Sequence, residues 1–172
     1  YLFAGTYTGI LRSTDTGDSW FNANVGLTTL FVNALAINRN NHIFVGTFGR
    51  GVSRSTNNGS SWTQTGLDSI NIYSLAIDTS GRIFAGSDRG LIFGSTNNGD
   101  AWTRIDSLPT PNQIGVLTVS PANQYIFAET NGWGLYRSTD NGTTWTPAGF
   151  SGQFVSAVSF KSSGVIFAGN LQ

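Results

Sequence analysis

The chain has 172 residues, a formal net charge of zero and only 10% charged side chains, so it is sized for one ordinary domain and offers no basic footprint for nucleic acid. It holds no cysteine, which excludes a disulfide framework and a thiolate metal site, and no apolar run approaches the length of a membrane span. With 22 Gly, 12 Phe, 5 Trp and 5 Tyr beside abundant Ser, Thr and Asn, the composition suits many short strands joined by tight turns.

The first predicted strand is Tyr1-Leu2-Phe3-Ala4-Gly5. A chain that opens inside a strand and without Met reads as a mature form or an excised fragment. The strand is the first copy of a phrase that returns at Phe44-Val45-Gly46, Phe84-Ala85-Gly86, Phe127-Ala128-Glu129 and Phe167-Ala168-Gly169, with 41, 40, 43 and 40 residues between successive Phe positions. Trp20, Trp62, Trp102 and Trp145 keep the same beat. A period near 40 fits either a four-stranded propeller blade or a two-helix solenoid repeat.

The next stretch decides between them. Val32–Ile37 is apolar and reads as an inner strand A. His42–Thr47 reads as strand B, Gly51–Ser55 as C and Ser61–Thr65 as D. The alternation has period 2 and nothing repeats at 3.6, which excludes helical repeats. Asn40-Asn41 and Asn57-Asn58-Gly59 provide turn residues that tolerate positive φ. Strand A recurs near 72–78, 114–120 and 154–160. The repeats therefore run approximately 1–31, 32–71, 72–113 and 114–153, with a partial copy at 154–172.

The predicted fold is an all-β propeller, or a propeller segment, of four-stranded antiparallel blades. Counting strands leaves A and B at the end and B, C and D at the start. Three arrangements stay open: a segment of a longer propeller, a four-blade closure with one surplus strand, and a ring completed by self-association with another copy.

The C–D connection is the most specific signal. It reads Ser13-Thr14-Asp15-Thr16-Gly17-Asp18-Ser19-Trp20 and Ser55-Thr56-Asn57-Asn58-Gly59-Ser60-Ser61-Trp62. It returns as Ser95-Thr96-Asn97-Asn98-Gly99-Asp100-Ala101-Trp102 and Ser138-Thr139-Asp140-Asn141-Gly142-Thr143-Thr144-Trp145. This pattern resembles the Asp box, or BNR repeat, of sialidases, a hairpin that is also found in xyloglucanase-like glycosidases, sortilin-type receptors and a photosystem II assembly factor. The chemistry of the box is structural. Asp15, Asn57, Asn97 and Asp140 are expected to accept backbone N–H groups in their own turn, which needs the oxygen and not the charge. Gly17, Gly59, Gly99 and Gly142 take a backbone angle other residues resist. The four Trp rings are expected to fill the space between blades. In the resembled families the box lies opposite the active site. The sequons Asn58-Gly59-Ser60 and Asn141-Gly142-Thr143 fall inside these turns and read as turn residues rather than glycosylation sites.

The residues weigh against catalysis in this segment. The resemblance to sialidases implies three converging arginines and an F/Y-R-I-P motif, and the motif is absent. Arg12, Arg54 and Arg137 each precede the Ser of a box and read as repeat residues. Arg39, Arg50, Arg82, Arg89 and Arg104 are scattered. Asp88 and Glu129 are the acids at the ends of B strands, where a glycosidase pair would have to lie. No cofactor or metal is expected; His42 is the sole histidine.

The variable B–C loops carry Tyr7, Phe48, Arg50, Asp88, Arg89, Glu129 and Trp133 on the upper face. Constant turns with variable loops on one face are how such scaffolds engage partners, and Tyr, Trp and Arg are the residue types of interface hot spots. The expected function is a non-catalytic binding or scaffold module for a protein or glycan, with no nucleic acid partner and no membrane insertion. The low-charge, Gly-, Ser- and Asn-rich style is similar to that of large secreted bacterial proteins with tandem boxes, which implies an extracellular or cell-surface location. The alternative is a glycosidase or sialidase-like hydrolase whose catalytic groups lie partly outside the segment; an assembly factor is a third reading.

Overall fold

The structure is a computed structural model and describes residues 1–161 and 164–171. Ser162, Ser163 and Gln172, in the last partial repeat, lie outside the described residues. Five antiparallel sheets follow one another along the chain. The first holds β1 (Leu2–Thr6), β2 (Gly9–Ser13) and β3 (Phe21–Asn22). The second holds β4 (Val32–Ile37), β5 (Ile43–Thr47), β6 (Val52–Ser55) and β7 (Thr63–Gly66). The third holds β8 (Ile72–Ile77), β9 (Ile83–Ser87), β10 (Leu91–Ser95) and β11 (Thr103–Ser107), with one 3-10 turn at Asp88–Gly90. The fourth holds β12 (Val116–Val119), β13 (Ile126–Glu129), β14 (Leu135–Ser138) and β15 (Thr146–Pro147), and the fifth holds β16 (Phe154–Phe160) and β17 (Ile166–Leu171).

Within each sheet, strands that follow in sequence pair in space, and the A–B turns of the second and third sheets are closed by a local side-chain acceptor. Asn38 Oδ1 accepts the N–H groups of Asn40 and His42, and Asp78 Oδ1 accepts those of Ser80 and Arg82, at 2.8–3.0 Å. These turns free strand B to lie with both faces covered. All five residues of β5 and of β9 are buried, as an inner strand between two neighbouring sheets requires.

The apolar cores lie between sheets rather than within one. Ile10, Ala23, Val32, Ile43, Val45 and Trp62 join the first two sheets. Phe44, Val52, Ile72, Ile83, Ala85 and Phe93 join the second to the third, and Phe84, Ile92, Leu108, Ile114, Leu117, Ile126 and Ala128 join the third to the fourth. The Gly of the repeated aromatic phrase is required here. A Cβ on Gly46 would stand 2.5 Å from Ile72 Cγ2, and one on Gly86 2.6 Å from Ile114 Cγ2. The bare backbone lets the next sheet approach.

This is the propeller blade arrangement that the 40-residue beat and the period-2 alternation together predict. Among the described residues β1 pairs only with β2 and β16 only with β17. The four-blade closure, which needs β16 against β1, is therefore not formed, and the fold is that of a propeller segment.

Candidate functional site

Two faces carry the repeated chemistry. The A–B and C–D turns share one face; the B–C and D–A loops share the other, because antiparallel strands alternate in direction.

On the turn face, each Ser-x-Asp/Asn-x-Gly segment makes the same closed network. Ser13 Oγ donates to Asp15 Oδ1 at 2.7 Å and accepts Gly17 N–H at 2.9 Å, while Ser19 N–H donates to Asp15 Oδ1 at 3.0 Å. The same three bonds recur around Ser55, Ser95 and Ser138 at 2.8–2.9 Å. Thr16, Asn58, Asn98 and Asn141 stand at φ between 56° and 63°, each followed by a Gly of positive φ. The hydroxyl of the leading Ser is as central as the carboxylate. It sits at the end of a strand and reads in sequence as an ordinary strand residue.

The acidic and amide versions differ in one bond. Asp15 Oδ2 accepts the Ser19 hydroxyl and Asp140 Oδ2 accepts Thr144 Oγ1. Asn57 reverses the direction, its Nδ2 donating to Ser61 Oγ at 2.8 Å. The Ser19 hydroxyl, with the Ser19 N–H second, holds Asp15 down at a pKa of about 2; Thr144 does the same for Asp140. Hydrogen bonds to the ionised form are the cause, as for any carboxylate caged by donors. These acids are locked into their turns by those bonds.

The strand C arginines fasten this face across blades. Arg12 Nη1 donates to Asn58 O at 2.8 Å, and Arg54 Nη1 to Asn98 O at 2.6 Å and Asp100 Oδ1 at 2.8 Å. The acceptor carbonyl belongs to the left-handed residue of the next blade's turn. Arg82 lies over the Phe84 ring at 4.9 Å and Arg137 over Tyr125 at 5.7 Å.

The loop face is different in kind. Tyr7, Phe31 and Phe48 form a row with ring centroids 6.1 and 6.4 Å apart, and they are 73%, 54% and 52% exposed. Phe31 belongs to the D–A connection, where sequence reading singled out no residue. It is fixed there by Phe48 N–H donating to Phe31 O at 3.0 Å. Arg50 and Arg89 are exposed, and Arg89 is held at φ 54°. Trp133 is 51% exposed on the corresponding loop of the fourth sheet.

The two loop-face acids are both engaged within the fold. Asp88 Oδ2 accepts Asn71 Nδ2 at 2.8 Å. Burial first, and the Asp88 carboxylate second, raise the neighbouring Tyr73 phenol above its ordinary value. Glu129 is 1% exposed, at the end of β13, in the slot that other repeats fill with Gly. Its Oε1 accepts Gly132 N–H at 3.0 Å; its Oε2 points to Gly115, where a Cβ would lie 2.9 Å away, and is buried without a hydrogen-bond partner. Gly115 makes the room that Glu129 occupies, and Glu129 in turn orders the loop carrying Trp133. It is not the solvated loop charge that a lone acid at a strand end suggests.

Among the described residues no group of three or more His, Asp or Glu is placed to hold a metal, and no helix is long and apolar enough to cross a membrane.

Residues 1–124 match the DUF6242 beta propeller domain. The chain belongs to this family. No curated protein shows significant similarity to it. Solved structures share the DUF6242 chain's fold at low identity. An ancestral GH74 enzyme superposes with a TM-score of 0.81 and 22% identity over 98% of this chain and 25% of its own. An extracellular domain from B. thetaiotaomicron does so at 0.78 and 17%, over 98% and 24%. YCF48 bound to D1 peptide matches at 0.64 and 15%, over 80% and 48%. The chain thus spans about a quarter of the length of the first two.

Proposed function

We propose that the chain is a non-catalytic binding or scaffold module of a secreted or cell-surface protein, presenting its loop face to a glycan or protein partner. The observation that carries this is the exposed row Tyr7–Phe31–Phe48. Exposed aromatic rings next to one another on a rigid scaffold are costly to leave bare and are the residue type that binding surfaces concentrate. The peptide-bound state of YCF48 and the extracellular setting of the B. thetaiotaomicron domain are in keeping with this use of the fold. On this reading the turn face is scaffold, its Ser-x-Asp/Asn-x-Gly-x-x-Trp segments acting as Asp boxes.

The test is a screen of the purified chain on glycan and peptide arrays, followed by Phe48→Ala. The expected result is a ligand whose binding is lost in the variant while the melting temperature stays within a degree or two, because Phe48 is exposed. A chain that binds nothing on either array, or binding that ignores Phe48, sinks the proposal.

A second reading follows from the likeness to a GH74 segment: a hydrolase whose catalytic groups stand partly outside these residues. Against it, Glu129 is buried, with Oε1 accepting Gly132 N–H; in its favour, Glu129 Oε2 is buried without a hydrogen-bond partner. Hydrolysis assays on the longest natural form of the protein, with Asp88→Asn, would separate the readings; activity lost in that variant favours the enzyme.

A further inference from the structure

The loop face holds more than a row of rings. Blades two, three and four each place two residues there. One immediately precedes a buried β-branched residue at the entry to strand A (Val32, Ile72 or Ile114); the other immediately follows the Thr or Ser at the exit of strand B (Thr47, Ser87 or Thr130). The first position is filled by Phe31, Asn71 and Gln113, and the second by Phe48, Asp88 and Asn131; Tyr7, after Thr6, holds the second position of the first blade, and Phe154, before Val155, the first position of the fifth sheet. The pairs are joined within and between blades. Tyr7 meets Phe31, Phe31 meets Phe48, and Asn71 Nδ2 donates to Asp88 Oδ2 at 2.8 Å. Asn112 Nδ2 then donates to Asn131 O at 2.9 Å.

These equivalent positions therefore form one arc across the face with two chemically distinct halves. Blades one and two offer stacking rings. Blades three and four offer half-buried amides and one carboxylate. The rings are tilted at 45° and 54° to one another, and Tyr7 edges a cavity lined by Gly5, Thr6, Val32 and Asn33, so a ligand lies across the rings and extends along the arc.

We propose that the arc binds a neutral polysaccharide chain, with pyranose rings stacked on Phe31 and Phe48 and hydroxyls read by Asn71, Gln113 and Asn131. This rests on the binding-face reading above and narrows its ligand. A pyranose has an apolar C–H face that suits an aromatic ring and a rim of hydroxyls that both donate and accept. Asn and Gln amides carry donors and acceptors side by side and match that rim. No arc position carries a cation to pair with uronates; the exposed Arg50 and Arg89 stand beside the arc, and the polygalacturonate arm of the test reads whether they recruit an anionic chain. A peptide added as a strand would use main-chain ladder groups instead, and the arc offers side chains.

The experiment is affinity electrophoresis of the chain in gels containing galactomannan, arabinoxylan or mixed-linkage β-glucan as neutral probes and polygalacturonate as the anionic one. The same set is repeated at 0.5 M salt and with Phe48→Ala and Gln113→Ala. The expected result is retardation by at least one neutral probe that survives salt, as a neutral ligand requires. It should weaken tenfold or more in Phe48→Ala, the scale of a truncated aromatic anchor, and measurably in Gln113→Ala. Retardation by polygalacturonate alone, or binding only to array peptides, with loss in Phe48→Ala, overturns the neutral-glycan inference and leaves the binding face standing. No ligand of any class that responds to Phe48→Ala overturns both.

Discussion

Asp15 and Asp140 show how one turn tolerates two side chains. The network needs an oxygen at Oδ1 to accept the N–H four residues on, and both Asp and Asn supply it. What differs is titration. Both carboxylates are held at a pKa of about 2, below the ordinary 3.8. A depressed folded-state value contributes stability that is fully present above the unfolded pKa and is lost as pH falls through the folded one. The melting temperature of the wild type should therefore drop between about pH 4 and pH 2. Asp15→Asn with Asp140→Asn, which copies the chemistry of Asn57 and Asn97, should flatten that drop while leaving the melt at pH 7 nearly unchanged. Melts followed by tryptophan fluorescence at several pH values would show it; an unchanged acid slope in the double variant counts against the turn as its source. Arg54 makes a second case. Its side chain is 20% exposed and its partner Asp100 63%, so the ion pair is largely screened and the carbonyl of Asn98 is the acceptor that matters. Arg54→Ala should lower stability by about 1–2 kcal/mol, and Asp100→Asn by a few tenths at most. Equal shifts in the urea midpoint would mean that the ion pair is the operative contact instead.

At the scale of elements, the blade hairpins and the position of each Trp were legible because both recur: period-2 strands and a Trp every 40 residues need no knowledge of tertiary contacts. What could not be read depends on which blade faces which. The arginine staples need the next blade's carbonyl, and the burial of Glu129 needs Gly115 opposite it. Phe31 was missed because the D–A connection does not recur as a phrase; only its place before a buried β-branched residue does. The Trp positions are likewise equivalent in sequence and unequal in space. Trp62 is 4% exposed against the first sheet, its Nε1 donating to Ala23 O at 2.6 Å. Trp145, on the fourth sheet, is half-buried and its Nε1 donates within its own turn, to Gly142 O at 3.0 Å. Trp62→Ala should therefore cost about 3–5 kcal/mol, as for a buried aromatic, and Trp145→Ala about 1–2 kcal/mol. Chemical denaturation of the two variants measures the gap, and similar losses would mean that the inter-blade core is not where stability resides.

For the whole molecule, cores that lie between sheets make stability a sum of neighbour terms along the arc. Each sheet is held by the sheets before and after it, so a sheet with full neighbours on both sides should open last. β5 and β9 are buried at every residue, whereas, among the described residues, β17 pairs only with β16 and exposes Ile166 and Phe167. Hydrogen exchange should follow that order, slowest in β5 and β9 and fastest in β17. The same architecture sets how far damage travels. Removing Trp62 weakens the contact between the first and second sheets directly, while the fourth sheet rests on Leu117, Ile126 and the third. Exchange in the Trp62→Ala variant should therefore speed up by a large factor in β1, β2, β5 and β6 and by a small one in β12 and β13. An acceleration uniform across all sheets would show that the chain opens as one cooperative unit, and that the coupling between blades exceeds the stability of any single one.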